Sequence, residues 1–180
     1  MNIELPGDLR SVRFFPFWNY KVHDQVVGLI QLILDVCKLG NNLVGMEIGT
    51  YIGESATLFL SFPNIKTLHC VDAYKCDLAL ERLKNPIKNK RCILHHKLSE
   101  SLFKEFNEEL DFIYIDGDHS YEGAKRDIVM GFEKVKKGGL VSGHDYNNIH
   151  PGVIKAVDEF VKENNYQIKT YCDSSWSFIK

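Results

Sequence analysis

Met46-Glu47-Ile48-Gly49-Thr50-Tyr51-Ile52-Gly53-Glu54-Ser55 is the stretch around which this chain is organised. An apolar run (Leu43, Val44, Met46, Ile48) ends on an acidic residue, two glycines four apart and a serine, and a helical pattern begins near Ala56. That succession predicts a buried parallel strand, a tight turn and a helix N-terminus. Such a corner faces phosphates or nucleotides in a doubly wound sheet. Glycine suits the turn because a side chain would keep a ligand away from the backbone N–H groups. The dinucleotide fingerprint G-x-G-x-x-G is absent, since three residues separate Gly49 from Gly53 and no third glycine follows. A purely structural strand-to-helix turn would leave the same trace.

Outward from this stretch the chain alternates. Short apolar strand candidates fall at about 43–48, 66–71, 91–95, 111–115 and 139–143. Helical spacing fits about 55–61, 76–84, 99–107, 121–136 and 151–164. Upstream, Val22, Val26, Leu29, Ile30, Ile33, Val36 and Cys37 predict a helix from Val22 to Leu39, stopped by Gly40-Asn41-Asn42. Lys137-Gly138-Gly139 is expected to close the long helix and open the fifth strand, and Pro151-Gly152 to start the last helix. This β-α alternation predicts a parallel sheet covered on both faces. The tail differs: Tyr166–Tyr171 and Trp176–Ile179 are strand-like runs joined only by Cys172-Asp173-Ser174-Ser175, so they must pair antiparallel.

Composition narrows the function. At 180 residues, 44% hydrophobic and 26% charged, the chain has the length and make-up of one globular domain. A net charge of −2 argues against a nucleic-acid footprint, which needs a basic face. No apolar run approaches the roughly 20 residues of a membrane span. Met1-Asn2-Ile3-Glu4-Leu5-Pro6 reads as neither a signal nor a transit peptide. The five cysteines are odd in number and lack C-x-x-C; reduced, buried thiols and a cytoplasmic location are expected. Residues 1–20 are irregular and rich in aromatics (Phe14, Phe15, Phe17, Trp18, Tyr20), fit for a core flap or a lid over a ligand, ahead of a single domain at 21–180.

In an open parallel sheet, ligands sit at the carboxyl ends of the strands, where strand order reverses. The first strand end offers Glu47, Gly49 and Gly53. The second, Leu68-His69-Cys70-Val71-Asp72, carries Asp72 at its tip. A carboxylate there can accept both hydroxyls of a ribose, or cap the following helix. The fourth runs Ile115-Asp116-Gly117-Asp118-His119-Ser120-Tyr121, and two carboxylates and an imidazole so close to a hydrophobic strand are costly unless something uses them. The fifth ends in Ser142-Gly143-His144-Asp145-Tyr146. Neighbouring strands would bring Asp116, Asp118, His119, His144 and Asp145 to one pocket. That donor set suits Mg²⁺, Mn²⁺, Fe²⁺ or Zn²⁺, or equally a hydrogen-bonded network without metal.

Taken together, Glu47-Ile48-Gly49-Thr50, Ile115-Asp116-Gly117-Asp118-His119-Ser120-Tyr121 and Gly138-Gly139…His144-Asp145-Tyr146 resemble the class I S-adenosylmethionine (SAM)-dependent methyltransferases of family 24. The resemblance covers nearly the whole chain from Leu43 onward, and small-molecule O-methyltransferases of the catechol and macrolide-sugar kinds share the layout. It implies an α/β, doubly wound, mostly parallel seven-stranded Rossmann-like sheet with a C-terminal antiparallel β-hairpin. It implies SAM bound by Glu47, Gly49, Thr50, Tyr51, Gly53, Ser55, Asp72 and Asp116. Of these, Tyr51 and Ser55 match the residues holding the methionine carboxylate, Asp72 the ribose and Asp116 the methionine amino group. A divalent ion is implied at Asp116, His144 and Asp145, with histidine where the sugar enzymes carry aspartate and Tyr146 where the catechol type carries asparagine. The general base falls on Asp118 by one family pattern and on His119 by the other.

The expected function is SAM-dependent methylation of an oxygen on a small molecule or sugar, with no nucleic-acid or membrane partner; a homo-oligomer is compatible with it. Two rivals stand beside this reading. One is a SAM- or metal-binding module without transferase activity, favoured by the histidine at 144. The other is a metal-dependent oxygenase or hydrolase on the same fold, because Asp-His-His clusters also suit iron.

Overall fold

The computed structural model describes residues 22–180, so the aromatic segment and its expected lid role lie outside the described residues. The elements follow in the order α1 (Val22–Cys37), β1 (Leu43–Ile48), α2 (Glu54–Ser61), β2 (Ile65–Asp72), α3 (Asp77–Lys88), β3 (Cys92–His96), α4 (Ser99–Glu105), β4 (Leu110–Ile115), α5 (Tyr121–Lys134), β5 (Val135–Gly143), α6 (Pro151–Glu163), β6 (Lys169–Thr170) and β7 (Trp176–Ile179). They form one seven-stranded sheet, ordered β3-β2-β1-β4-β5-β7-β6. Strands β1 to β5 run parallel, while β7 is antiparallel to β5 and to β6. The order reverses between β1 and β4, which sets Ile48 beside Ile115 and opens the crevice beyond both strand ends.

The apolar runs form strands because both sides of each strand find cover. On β4, Phe112 and Tyr114 join the core under α1, α2 and α3. The alternate residues Ile113 and Ile115 join the core under α4, α5 and α6. Fully buried side chains of this kind contribute about 1.5–3 kcal/mol each, an upper figure since denatured chains are partly collapsed. The stiff, doubly covered centre holds the strand ends in place.

Three boundaries differ from the sequence expectation. Helix α5 ends at Lys134 and β5 already begins at Val135, so Lys137-Gly138-Gly139 lies inside the strand rather than closing the helix. Val135 is buried opposite Leu110, and Gly138 donates its N–H to Lys180 O, so sheet pairing outweighs helix propensity there. Helix α3 runs on through Pro86 to Lys88, at the cost of the helical hydrogen bond that an N–H at 86 would give the Arg82 carbonyl. The first hairpin strand shortens to Lys169–Thr170, and Tyr171, expected at its end, turns inward and donates its hydroxyl to Asp35.

Candidate active site

The crevice has two ends. At the β1–β2 end, Glu47 is wholly buried within the sheet. Its Oε1 accepts a 2.5 Å hydrogen bond from the Ser55 hydroxyl, and its Oε2 has no partner among the described residues. Burial pushes the Glu47 carboxyl up to about 7; the Ser55 bond opposes this, and the nearby Asp116 and Asp72 charges add to it. Thr50 Oγ1 is also buried, with no hydrogen bond of standard geometry among the described residues.

Gly49 (φ +87°) does more than clear space for a ligand. A Cβ there would lie 1.9 Å from the carbonyl oxygen of Asp116, so the glycine lets the β1 and β4 ends come together. Gly53 (φ +79°) is the N-cap of α2, followed by Glu54 in the first turn.

Asp72 ends β2. One of its oxygens accepts the Tyr51 N–H at 2.7 Å and the other the Tyr74 N–H at 2.8 Å. The carboxylate thus ties the turn after β1 to the turn after β2, and each oxygen keeps a further lone pair. A shallow, open cleft lies beside it, lined by Thr50, Tyr51, Cys70, Asp72, Tyr74, Cys76, Ala79, Leu94, His95 and His96. A carboxylate with apolar and aromatic walls fits an adenosine, whose sugar needs acceptors and whose base needs flat contacts. Leu94, His95 and His96 join this lining because they end β3, where the carboxyl-end rule applies equally, although the sequence marks none of them as a SAM contact.

At the β4–β5 end, Asp116, His119, His144 and Asp145 come together. His119 Nε2 lies 2.8 Å from Asp145 Oδ2 and 3.4 Å from Asp116 Oδ1, and His144 Nδ1 lies 3.1 Å from Asp145 Oδ1. Asp116, His144 and Asp145 offer ligand atoms all within 4.8 Å of one another. Asp118 takes another course: its Oδ1 accepts the Ser120 N–H at 2.9 Å at the start of α5, and the side chain packs over Gly123. His150, unmarked in the sequence reading, returns on the loop before α6 and brings its Nε2 to 3.8 Å from Asp145 Oδ1.

Charge at this end is concentrated. Asp116 and Asp145 hold the His119 imidazole up to about 10, against the effect of burial. Burial alone would raise Asp145, but hydrogen bonds from His119 and His144 hold it well below the usual carboxylate range. Burial lowers His144, and its bond to Asp145 with the Asp116 charge outweighs that, leaving it raised.

A family model described as a methyltransferase domain, family 24, matches residues 46–146. The chain belongs to the class I SAM-dependent methyltransferases of that family. Among solved structures, this chain is similar to the O-methyltransferase from Bacillus cereus in complex with SAH, at TM-score 0.65 and 15% identity over 92% of this chain and 84% of that one. It is similar to the O-methyltransferase NovP, at TM-score 0.67 and 18% identity over 87% and 79%. An rRNA methylase from Streptococcus thermophilus shares the fold at TM-score 0.68 and 11% identity, over 85% and 96%. Identities this low speak for the fold alone. The chain is also 30% identical over 135 residues to the uncharacterized protein R132 of Acanthamoeba polyphaga mimivirus, matching 68% of this chain and 61% of that protein. It therefore spans less than two thirds of the length of that curated relative. No helix among the described residues is long and apolar enough to cross a membrane.

Proposed function

We propose that this methyltransferase moves a methyl group from SAM to a hydroxyl oxygen of a small molecule, sugars included, at the β4–β5 end of the crevice. The observation that carries this reading is the pairing of two strand ends around one reversal point. One end has a cleft with an available carboxylate, and the other has a His/Asp cluster.

SAM fits the first end, where Glu47 Oε2 and Thr50 Oγ1 are buried polar atoms with no hydrogen bond of standard geometry among the described residues. Asp72 would take the ribose, and Tyr51 and Ser55 border the turn over which the methionine moiety lies. Bound there, SAM supplies an electrophilic methyl on a sulfonium; most of the protein's task is to position the acceptor and remove its proton.

His119 is the candidate base, because its imidazole lies in the cluster while the Asp118 carboxylate is engaged at the α5 N-terminus. Paired with Asp116 and Asp145, however, His119 holds its own proton at neutral pH. A divalent ion held by Asp116, His144 and Asp145 would neutralise those carboxylates and polarise an acceptor hydroxyl. With the carboxylates so neutralised, His119 would be free to lose its proton and serve as the base. Manganese, iron or zinc fits the imidazole of His144 better than magnesium does.

Labelled SAM, offered with a panel of hydroxylated metabolites and sugars with and without each ion, tests the reading. Transfer of label to an oxygen is expected. SAM binding without transfer to any acceptor would favour the non-transferase module.

A further inference from the structure

Asp145 is surrounded in an unusual way. Its ion-pair partners among the described residues are three imidazoles: His119 at 2.8 Å, His144 at 3.1 Å and His150 at 3.8 Å. A lysine or arginine would neutralise a carboxylate as well, but could not coordinate an ion. An imidazole can give up its proton and present a lone pair.

We infer that His119, Asp145 and His150 form a second cation position, a two-histidine, one-carboxylate set selective for borderline transition ions. It is distinct from the set of Asp116, His144 and Asp145, with which it shares Asp145. Its three ligand atoms lie within 4.8 Å of one another. In a tetrahedral site with bonds of about 2.1 Å the donors stand about 3.4 Å apart. Closing the set therefore asks for side-chain adjustment and no movement of the strands.

The backbone between Asp145 and His150 is shaped to hold the arrangement. Asp145 itself sits at φ +61°, a conformation that costs a non-glycine residue free energy and points the carboxylate aside from the strand direction. Asn147 donates its N–H to Asp145 O and accepts those of Ile149, at its side chain, and of His150, at its carbonyl. This tight return sets the His150 ring beside that of His119, centroids 4.5 Å apart and planes tilted by 43°. Side-chain exposures of 40% for His119 and 30% for His150 leave the position open to ions from solvent.

Three protein ligands leave coordination positions free, and the absence of sulfur favours zinc, cobalt, nickel or iron over cadmium-like soft ions. Magnesium is a poor fit, because it prefers oxygen ligands and keeps its water. Occupancy here engages His119 and so withdraws the candidate base. An ion in the first position would support proton removal, and a transition ion in this one would suppress it. The inference is independent of the SAM assignment, and SAM affinity serves as its control.

The test uses the full chain, stripped by chelation and titrated with Co²⁺ and Zn²⁺ by equilibrium dialysis and visible absorption, with SAM calorimetry in parallel. Wild type is expected to give a cobalt spectrum with nitrogen coordination. His150→Gln should weaken Co²⁺ and Zn²⁺ binding by at least about 10–100-fold, with SAM affinity unchanged. Because the first position can also take zinc through His144, the comparison is repeated in a His144→Gln background. That variant should still bind a transition ion, and should lose it when His150→Gln is added. His150→Cys, which replaces one ligand by another, should add a thiolate-to-cobalt charge-transfer band that reports coordination directly, even if either variant is less stable. Equal Co²⁺ affinity in His144→Gln with and without His150→Gln, or no bound transition ion in His144→Gln alone, overturns the inference. So does the absence of the charge-transfer band.

Discussion

The two ends of the crevice handle their carboxylates in opposite ways. At the β1–β2 end, neutral groups serve Glu47 and Asp72: a serine hydroxyl for the first and two backbone amides for the second. At the β4–β5 end, imidazoles serve Asp116 and Asp145. The result is a carboxyl raised to about 7 at Glu47 and one held below the carboxylate range at Asp145. Burial raises both; only the second has cations to overcome it. One end is thus prepared for a ligand that brings its own positive charge or hydroxyls. The other stores positive charge that protons or metal ions can exchange.

The largest effect expected concerns the cationic end. His119→Ala should slow methyl transfer to the best acceptor by roughly 10²–10⁴-fold in single-turnover assays, while leaving SAM affinity unchanged. Asp118→Asn should lose far less. Equal losses would return Asp118 to the role of base.

Next is the neutral end, read through pH. The Glu47 carboxyl stands near 7 when folded and near 4.5 when unfolded, so the folded chain binds the extra proton between those values. Stability should therefore fall as pH rises through this window, by about 3 kcal/mol in all, and level off above it. Denaturant melts from pH 4.5 to 8 measure this, and Glu47→Gln should flatten the slope. A Glu47→Gln profile that matches wild type would mean that Glu47 is ionised in the folded state and that the contrast between the ends is smaller than drawn.

Asp72→Ala removes the charge-assisted acceptor from the cleft and should weaken SAM by about 1.5–3 kcal/mol in calorimetry. Unchanged affinity would limit Asp72 to bracing the turns at Tyr51 and Tyr74.

The smallest effect lies away from the crevice. Burial raises Asp35, but hydrogen bonds from Lys169, Lys38 and Tyr171 bring it down to about 2. It resembles Asp145 in sign, yet its cations are exposed lysines, with Lys169 57% accessible. Lys169→Met should cost no more than about 1 kcal/mol in urea melts and leave both ligand sites unaffected. A larger loss would show that cation pairing of a carboxylate is a general stabilising device in this fold rather than a property of the crevice.

Local pattern carried much of the architecture. The apolar runs, their alternation with helical spacing and the hairpin tail were legible because burial on two faces demands continuous apolar strands, and because two strands with no helix between them must run antiparallel. The strand-end positions of Glu47, Asp72, Asp116 and Asp145 followed from the same pattern. Tertiary structure alone decided the rest. Whether Val135 is the last residue of a helix or the first of a strand depends on its pairing with Leu110, which is distant in sequence. Gly49 answers to the Asp116 carbonyl, a neighbour 67 residues on. Of Asp118 and His119, adjacent in the chain, the turn into α5 takes one and the crevice the other. His150 joins the cluster because a loop folds back over Asp145, and no local spacing announces that return. Sequence sets which conformations a segment prefers; which side chains meet is settled by strand register and loop return, and those are set by packing across the whole chain.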